Sequence, residues 1–214
     1  MEYWFLLASF AFIGAGIKYI DCVYDEGVFD KRVAGVLGLI CGLLGGYVMA
    51  TDAASSSIGI AVIVGVAVTR KIDTSVFMVA TVVAFAIPIF LANSVVLNWL
   101  PIAALIFGGV MDEIGNNQSD LGLINSKFWR TFFHFRFSMQ AVMLLLVAFG
   151  VFAPIYFLAF LMFDLFYHLV GGYANRIIRS MYEFVVIENP DEIIVSQVNK
   201  EESNGMFNGG SNGL

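Results

Sequence analysis

Seven long apolar segments, each bounded by charged residues, proline, asparagine or a serine cluster, constrain the fold of this chain more than any other feature. They cover residues 3–20, 33–51, 54–69, 75–92, 95–111, 133–153 and 155–173. A membrane-spanning helix needs about 20 mostly apolar residues. The chain is 59% hydrophobic and 13% charged, whereas soluble domains are about 25% charged. We therefore predict an all-α, polytopic membrane helix bundle of about seven transmembrane helices.

The basic residues predict the orientation of this bundle, because cytoplasmic loops are enriched in lysine and arginine. All 11 of them fall on one side of a seven-span topology. They are Lys18, Lys31, Arg32, Arg70, Lys71, Lys127, Arg130, Arg136, Arg176, Arg179 and Lys200. We expect the N-terminus outside and the C-terminus in the cytoplasm. The first segment has no basic n-region and is interpreted as a retained helix.

The composition changes towards the C-terminus. After Tyr182 the sequence becomes polar and ends in EESNGMFNGGSNGL, which cannot form a core. We predict a transmembrane domain over residues 1–182 and a cytoplasmic polar tail over residues 183–214, disordered at its end.

Two groups of carboxylates lie at the predicted cytoplasmic ends of the first and fifth spans. The first group comprises Asp21, Asp25, Glu26 and Asp30, and the second comprises Asp112, Glu113 and Asp120. Carboxylates that converge on one point repel each other unless a cation lies between them, and oxygen ligands favour Mg²⁺ or Ca²⁺. The predicted Mg²⁺ ligands are Asp21, Asp25, Asp30, Asp112, Glu113 and Asp120, and the predicted catalytic residues are Asp21, Asp25 and Asp112.

Basic residues on the same side of the membrane could bind the phosphate of a Mg²⁺-bound substrate. The candidates are Lys18, Arg70, Lys71, Arg130 and Arg136. The alternative is that pairs such as Lys18–Asp21 and Asp30–Arg32 are surface ion pairs that contribute little.

Asp164 and His168 are one helical turn apart within the seventh segment. Ionisable residues inside a span are costly and usually face the bundle interior or a polar cavity, so this pair is a second candidate site. Asp52, by contrast, is interpreted as a cap for the third span. Glycines of the second segment, including a GxxxG spacing, predict close helix contact.

The two aspartate-rich stretches resemble those of the UbiA-type intramembrane prenyltransferases. That family binds Mg²⁺ and a prenyl diphosphate through paired aspartate motifs and transfers the prenyl group to an acceptor. The first family motif reads NDxxDxxxD, and Ile20 stands here at its asparagine. The residues that match the two motifs are Asp21, Asp25 and Asp30, and Asp112 and Asp120 with Glu113.

The leading hypothesis is an integral membrane enzyme, transferase-like, that acts at the cytoplasmic face on a phosphorylated isoprenoid or lipid through Mg²⁺. The alternatives are a cation or proton-coupled transporter or channel that uses Asp164 and His168, and a non-catalytic assembly subunit. The expected partners are a membrane lipid or isoprenoid diphosphate, with a second copy of the chain as an open option and no nucleic acid. Phosphate-loop and HExxH motifs of soluble enzymes are absent from the sequence.

Overall fold

The structure is a computed structural model that describes residues 2–68, 74–91, 97–135 and 137–188. Every regular element in these ranges is a helix, and together they give an all-α fold. The helices are α1 (Tyr3–Asp21), α2 (Lys31–Thr51), α3 (Ala53–Val68), α4 (Ser75–Leu91), α5 (Trp99–Asp120), α6 (Lys127–His134), α7 (Phe137–Ala148) and α8 (Pro154–Glu188). A π-helical turn, Cys22–Glu26, continues α1.

Several of the described helices are long and apolar enough to cross a membrane. Three satisfy both conditions, namely Tyr3–Glu26, Lys31–Thr51 and Pro154–Met181. A fourth span is formed if α6 and α7, which are bent by 73°, are taken as one broken span. The helices α3 and α4 are also apolar but have only 16 and 17 residues. The prediction of a membrane helix bundle is thus confirmed in its general form, on length and composition.

Close packing of α2 on α4 confirms the interpretation of the glycine spacing. A Cβ atom added at Gly42 would lie 2.7 Å from the carbonyl oxygen of Ala80, and one added at Gly46 would lie 2.9 Å from that of Ala84. Each of these contacts is possible only because the residue on α2 has no side chain. Small residues therefore allow the two backbones to approach as transmembrane helices do.

The main apolar core lies among α1, α2, α3, α5, α7 and α8. Ile58 of α3, Leu105 of α5 and Met143 of α7 are almost completely buried there, together with Phe160 of α8. Gly14 of α1 lies directly against the backbone of α8 at Phe163. This contact positions the polar residues of α8 beside the C-terminal half of α1.

The helix ends agree with several sequence signals. The carboxylate of Asp52 accepts hydrogen bonds from the backbone N–H of Ser55 (2.8 Å) and from its hydroxyl (2.9 Å), which confirms Asp52 as the cap of α3. A break at residues 149–153 separates α7 from α8, which begins at Pro154 as predicted. The side chain of Asn98 caps α5 by accepting from the N–H of Leu100 at 3.3 Å.

The structure also differs from the predicted segments. The fifth segment was expected to end at residue 111, but α5 continues to Asp120, so Asp112 and Glu113 lie inside a helix. The sixth segment, residues 133–153, contains a bend that separates α6 from α7.

The chain divides into two compact units, Met1–Gly171 and Gly172–Leu214. The second unit begins within α8, which runs to Glu188 and so passes the boundary predicted at residue 182. The predicted disordered end, residues 189–214, lies outside the described residues, as do Arg70, Lys71, Arg136 and Lys200. The sites described below belong to the first unit.

Candidate functional site

An acidic cavity of about 180 Å³ lies in the first unit, with walls from α1, α3, α4, α5, α7 and α8. Among the described residues, every lining side chain that carries a formal charge is a carboxylate. These four are Asp21, Asp112, Glu113 and Asp164. The sequence analysis assigned Asp164 to a separate intramembrane site, whereas the structure brings it to the same cavity as members of both acidic groups.

Asp112 is the most buried of these carboxylates, with 2% of its surface exposed. Its Oδ1 accepts from the N–H of Ser138 at 2.9 Å, and its Oδ2 accepts from the N–H of Met139 at 2.8 Å. Both N–H groups belong to the first turn of α7, where backbone donors have no partner within the helix. Asp112 therefore fixes the start of α7 and also contributes negative charge to the cavity.

Asp21 ends α1 and joins it to α8. The hydroxyl of Tyr167 donates a hydrogen bond of 2.8 Å to its Oδ2. The ammonium of Lys18 lies 5.5 Å from the centre of the Tyr167 ring and 3.7 Å from Glu26 Oε1. One aromatic residue of α8 thus contacts both a carboxylate that lines the cavity and a neighbouring cation.

Asp164 is half-buried in the middle of α8, as expected for an ionisable residue that faces the bundle interior. The amide of Gln140 on α7 donates to its Oδ2 at 2.7 Å. The Nδ1 atom of His168 lies 2.9 Å from the backbone oxygen of Asp164 and 3.5 Å from its Oδ1. The predicted Asp164–His168 pair is therefore in contact, and Gln140 extends it to α7.

The first acidic group does not converge as a whole. Asp25 and Glu26 lie in the π-helical turn that continues α1. Asp25 is exposed and does not line the cavity. Asp30 caps α2, because its Oδ1 accepts from the N–H of Arg32 at 2.6 Å.

The predicted phosphate-binding residues in the described part of the chain, Lys18 and Arg130, do not line the acidic cavity. Lys18 lies beside it, between Glu26 and Tyr167. Arg130 is exposed on α6, and its Nη2 donates to the backbone oxygen of Ile124 at 3.2 Å. Of the predicted second acidic group, the side chain of Asp120 is outside the described part of the chain.

A second, apolar cavity of about 140 Å³ adjoins the acidic one. The two share wall residues, among them Ile17, Phe77, Phe160 and Phe163. The apolar cavity extends between α1, α2, α3 and α4, and its lining includes Gly42, Gly45, Phe10, Ile13 and Val48. The pair of cavities has the polarity of an amphipathic molecule, with a charged end and an apolar end.

The donor chemistry of the acidic cavity fits Mg²⁺ better than a transition metal. Its charged groups offer only oxygen atoms, and neither histidine nor cysteine lines it among the described residues. Within those residues, no group of three or more Asp, Glu, His or Cys side chains is arranged to hold a metal ion. Mg²⁺ is commonly held by only one or two carboxylates together with water and substrate phosphate, which is the arrangement this cavity would allow.

Two contributors to the site were missed in the sequence. Gln140 is an amide in the apolar helix FSMQAVMLLLVA, and a polar side chain at that position was a usable signal. Tyr167 follows Asp164 by three residues and so shares its helix face, but its contact with Asp21 spans 146 positions and has no local signal. Comparison with known proteins adds no assignment, since no family model, curated protein or solved structure matches this chain.

Proposed function

We propose that this chain is an integral membrane enzyme that binds a phosphorylated isoprenoid or lipid through Mg²⁺ at the acidic cavity. The single observation that carries this proposal is that the carboxylate-lined cavity shares wall residues with an adjoining apolar cavity. A simple inorganic ion needs no apolar cavity next to its site, whereas a lipid phosphate needs both. The phosphate would lie against the metal and the tail among Phe77, Phe160 and Phe163.

The residues have distinct roles in this proposal. Asp21 and Asp164 bind the cation, because a carboxylate has about four acceptor positions and can ligate a metal while it accepts a hydrogen bond. Glu113 lines the same cavity and adds negative charge. Asp112 holds α7 in place and adds negative charge. Lys18, beside Tyr167 and Asp21, is the described basic residue that is best placed to meet a phosphate that extends out of the cavity.

The transferase-like activity follows from the resemblance to the prenyltransferases and is part of the proposal. In such a transfer the bond between the prenyl carbon and the diphosphate oxygen breaks, and the diphosphate leaves with the electron pair. The acceptor forms a new bond to the prenyl carbon and loses a proton. Mg²⁺ held by Asp21 and Asp164 would supply positive charge to the departing diphosphate, and the apolar walls would exclude water from the reacting carbon.

Filling the apolar cavity should weaken binding of a long-tailed ligand. A Cβ atom at Gly45 would lie 3.8 Å from the Cδ1 atom of Ile13, an ordinary contact, so a larger side chain can extend from there. Gly45→Leu should displace roughly three methylene groups of the tail, each worth about 0.8 kcal/mol, and raise Kd about 50-fold. The measurement is a titration of the protein in nanodiscs with farnesyl diphosphate and Mg²⁺.

Gly35→Leu is the matched control, since Gly35 is on the same helix with no neighbour within 4 Å of its added Cβ and lies outside the cavity. It should bind farnesyl diphosphate as the parent chain does. Binding by the parent that does not depend on Mg²⁺ would refute the metal-bridged mode. Equal Kd values for the two leucine variants would exclude the apolar cavity as the tail site.

The alternative function is a cation or proton-coupled transporter or channel. It is favoured by the connected groups Gln140, Asp164 and His168 of α7 and α8, of which Asp164 lines the acidic cavity. In that case Asp164→Asn should abolish ion flux in vesicles. A transporter should show flux without any lipid phosphate, and this result would separate it from the enzyme.

We also propose seven spans, with the N-terminus outside and the functional face in the cytoplasm. The basis is the position of the basic residues, with one span assigned to the sixth apolar segment. Cysteines placed at Asn98 and Ser126 should report opposite sides: a membrane-impermeant maleimide should label Asn98→Cys in intact cells and Ser126→Cys only after lysis. Cys22 and Cys41 are both buried, so their background labelling should be low. The reverse pattern would place the acidic cavity towards the outside.

A further inference from the structure

The short helix α6, with sequence KFWRTFFH, separates its residues cleanly into two faces. At about 100° per residue, its aromatic residues fall on one side and its polar residues on the other. The aromatic side comprises Phe128, Trp129, Phe132 and Phe133, and the polar side comprises Lys127, Arg130, Thr131 and His134. A pattern of this kind, with basic residues opposite large aromatic ones, is typical of helices that lie in a membrane interface.

The aromatic face of α6 is not covered by the rest of the protein. No residue of α6 is buried, and Phe128 and Trp129 are 66% and 49% exposed. Leu121 and Leu123, in the connection that precedes the helix, are 74% and 69% exposed. One ring makes a close contact with α5, where Phe133 lies against Gly115, which has no side chain to obstruct it. The helix is therefore attached along one edge and presents a large apolar surface.

The geometry around α6 is consistent with a helix lying along a bilayer surface. The axes of α6 and α7 differ by 73°, so the two cannot both follow the membrane normal. The start of α7 is held by Asp112 of α5 through the N–H groups of Ser138 and Met139. Most residues of α7 (FSMQAVMLLLVA) are apolar, whereas half of those of α6 are polar, so α7 is better suited to enter the membrane and α6 to turn aside.

We propose that α6 lies in the bilayer interface and binds anionic phospholipid headgroups through Lys127 and Arg130. The aromatic face would enter the acyl boundary beside α5 and α7, which already lie in the membrane in our topology. A lipid surface is favoured over a protein partner because the two cations adjoin rings of the type that concentrates at the headgroup level. Arg130 has five donor N–H groups, and the bond to Ile124 occupies one. This proposal does not rest on the enzyme function.

The test is fluorescence quenching of Trp129 by brominated lipids in the full-length chain. Trp4→Phe and Trp99→Phe leave Trp129 as the only tryptophan. The protein is reconstituted in phosphatidylcholine bilayers that contain an equal fraction of brominated phosphatidylglycerol or brominated phosphatidylcholine. We expect a preference for the anionic lipid of about 30-fold near Trp129, as two basic side chains at a membrane surface together provide.

Two variants separate charge from simple proximity. Lys127→Gln with Arg130→Gln should reduce the preference to about one and leave quenching in place, because the aromatic face is unchanged. A chain that keeps only Trp99 is the control. Trp99 is 71% exposed at the start of α5, and the sequence has no lysine or arginine from residue 72 to residue 126. This chain should show quenching without a preference for anionic lipid. Absence of quenching at Trp129 would overturn the interfacial placement. Equal quenching by both lipids in the parent, or a preference that survives the double substitution, would overturn the role of the two cations.

Discussion

Asp112→Ala is expected to lower the free energy of unfolding by about 4 kcal/mol. The substitution removes the carboxylate that accepts two hydrogen bonds, and a hydrogen bond to a charged acceptor contributes about 1.5–3 kcal/mol. The N–H groups of Ser138 and Met139 would be left at the start of α7 without their acceptor. Burial makes the loss larger, since only 2% of the Asp112 surface is exposed and water cannot easily replace the carboxylate. The measurement is an unfolding titration of the purified protein in mixed micelles.

Asp52→Ala is the matched control for this experiment. Asp52 also caps a helix, with bonds to the N–H and hydroxyl of Ser55, but it is only partly buried. An N-cap of this kind contributes about 1 kcal/mol. Asp112→Asn, which keeps one acceptor oxygen, should fall between the two alanine variants. If Asp112→Ala cost no more than Asp52→Ala, Asp112 would not be the residue that fixes the start of α7.

The sequence predicted the helices well because their signals are local. Apolar runs, the cap at Asp52 and the break before Pro154 each depend on a few adjacent residues, and the structure has all three. The spacing of the small residues in α2 is also a local signal, because it predicts a close helix contact. A side chain at Gly42 or Gly46 would displace α4. Features of this kind can be inferred before any tertiary contact is known.

The bend between α6 and α7 could not be predicted from the same signals. Phenylalanines at 133, 135 and 137 continue from α6 into α7, and no glycine or proline lies between the two helices to mark a break. The structure places Asp112 of α5 at the first N–H groups of α7, which favours a helix start at residue 137. That cause lies more than 20 positions away in the sequence.

In the candidate site, too, the residues could be predicted from the sequence, but the way they come together could not. Asp21, Asp112, Glu113 and Asp164 were all identified as candidates from their residue type and position in apolar segments. Their assembly into one cavity depends on Gly14 packing against α8 and on the bond between Tyr167 and Asp21, which are tertiary contacts. Asp25, one turn after Asp21, is exposed and does not line the cavity, and its residue type and position in the sequence are too similar to those of Asp21 to predict this difference.

The second large effect is expected from Mg²⁺. If the cation binds the folded chain alone, saturation at about 100 times Kd adds about 2.7 kcal/mol to the free energy of unfolding. For a chain of this size, that gain corresponds to a rise in Tm of roughly 5–10 °C. Asp21→Asn and Asp164→Asn should each remove most of the rise, because both carboxylates line the acidic cavity. The expectation from sequence alone was different, since it left metal binding independent of Asp164.

Asp25→Asn is the matched control for Asp21→Asn, because Asp25 follows it by one turn but is exposed outside the cavity, and it should keep the full Mg²⁺ effect. The double variant with asparagine at 21 and 164 should lose no more Mg²⁺ stabilisation than either single variant, since the two residues share one ion. Each melting series is run with and without Mg²⁺, so that a general loss of stability is subtracted. A parent chain with the same Tm in both conditions, or losses from Asp21→Asn and Asp164→Asn that add up, would mean that the carboxylates of the acidic cavity do not hold a common cation.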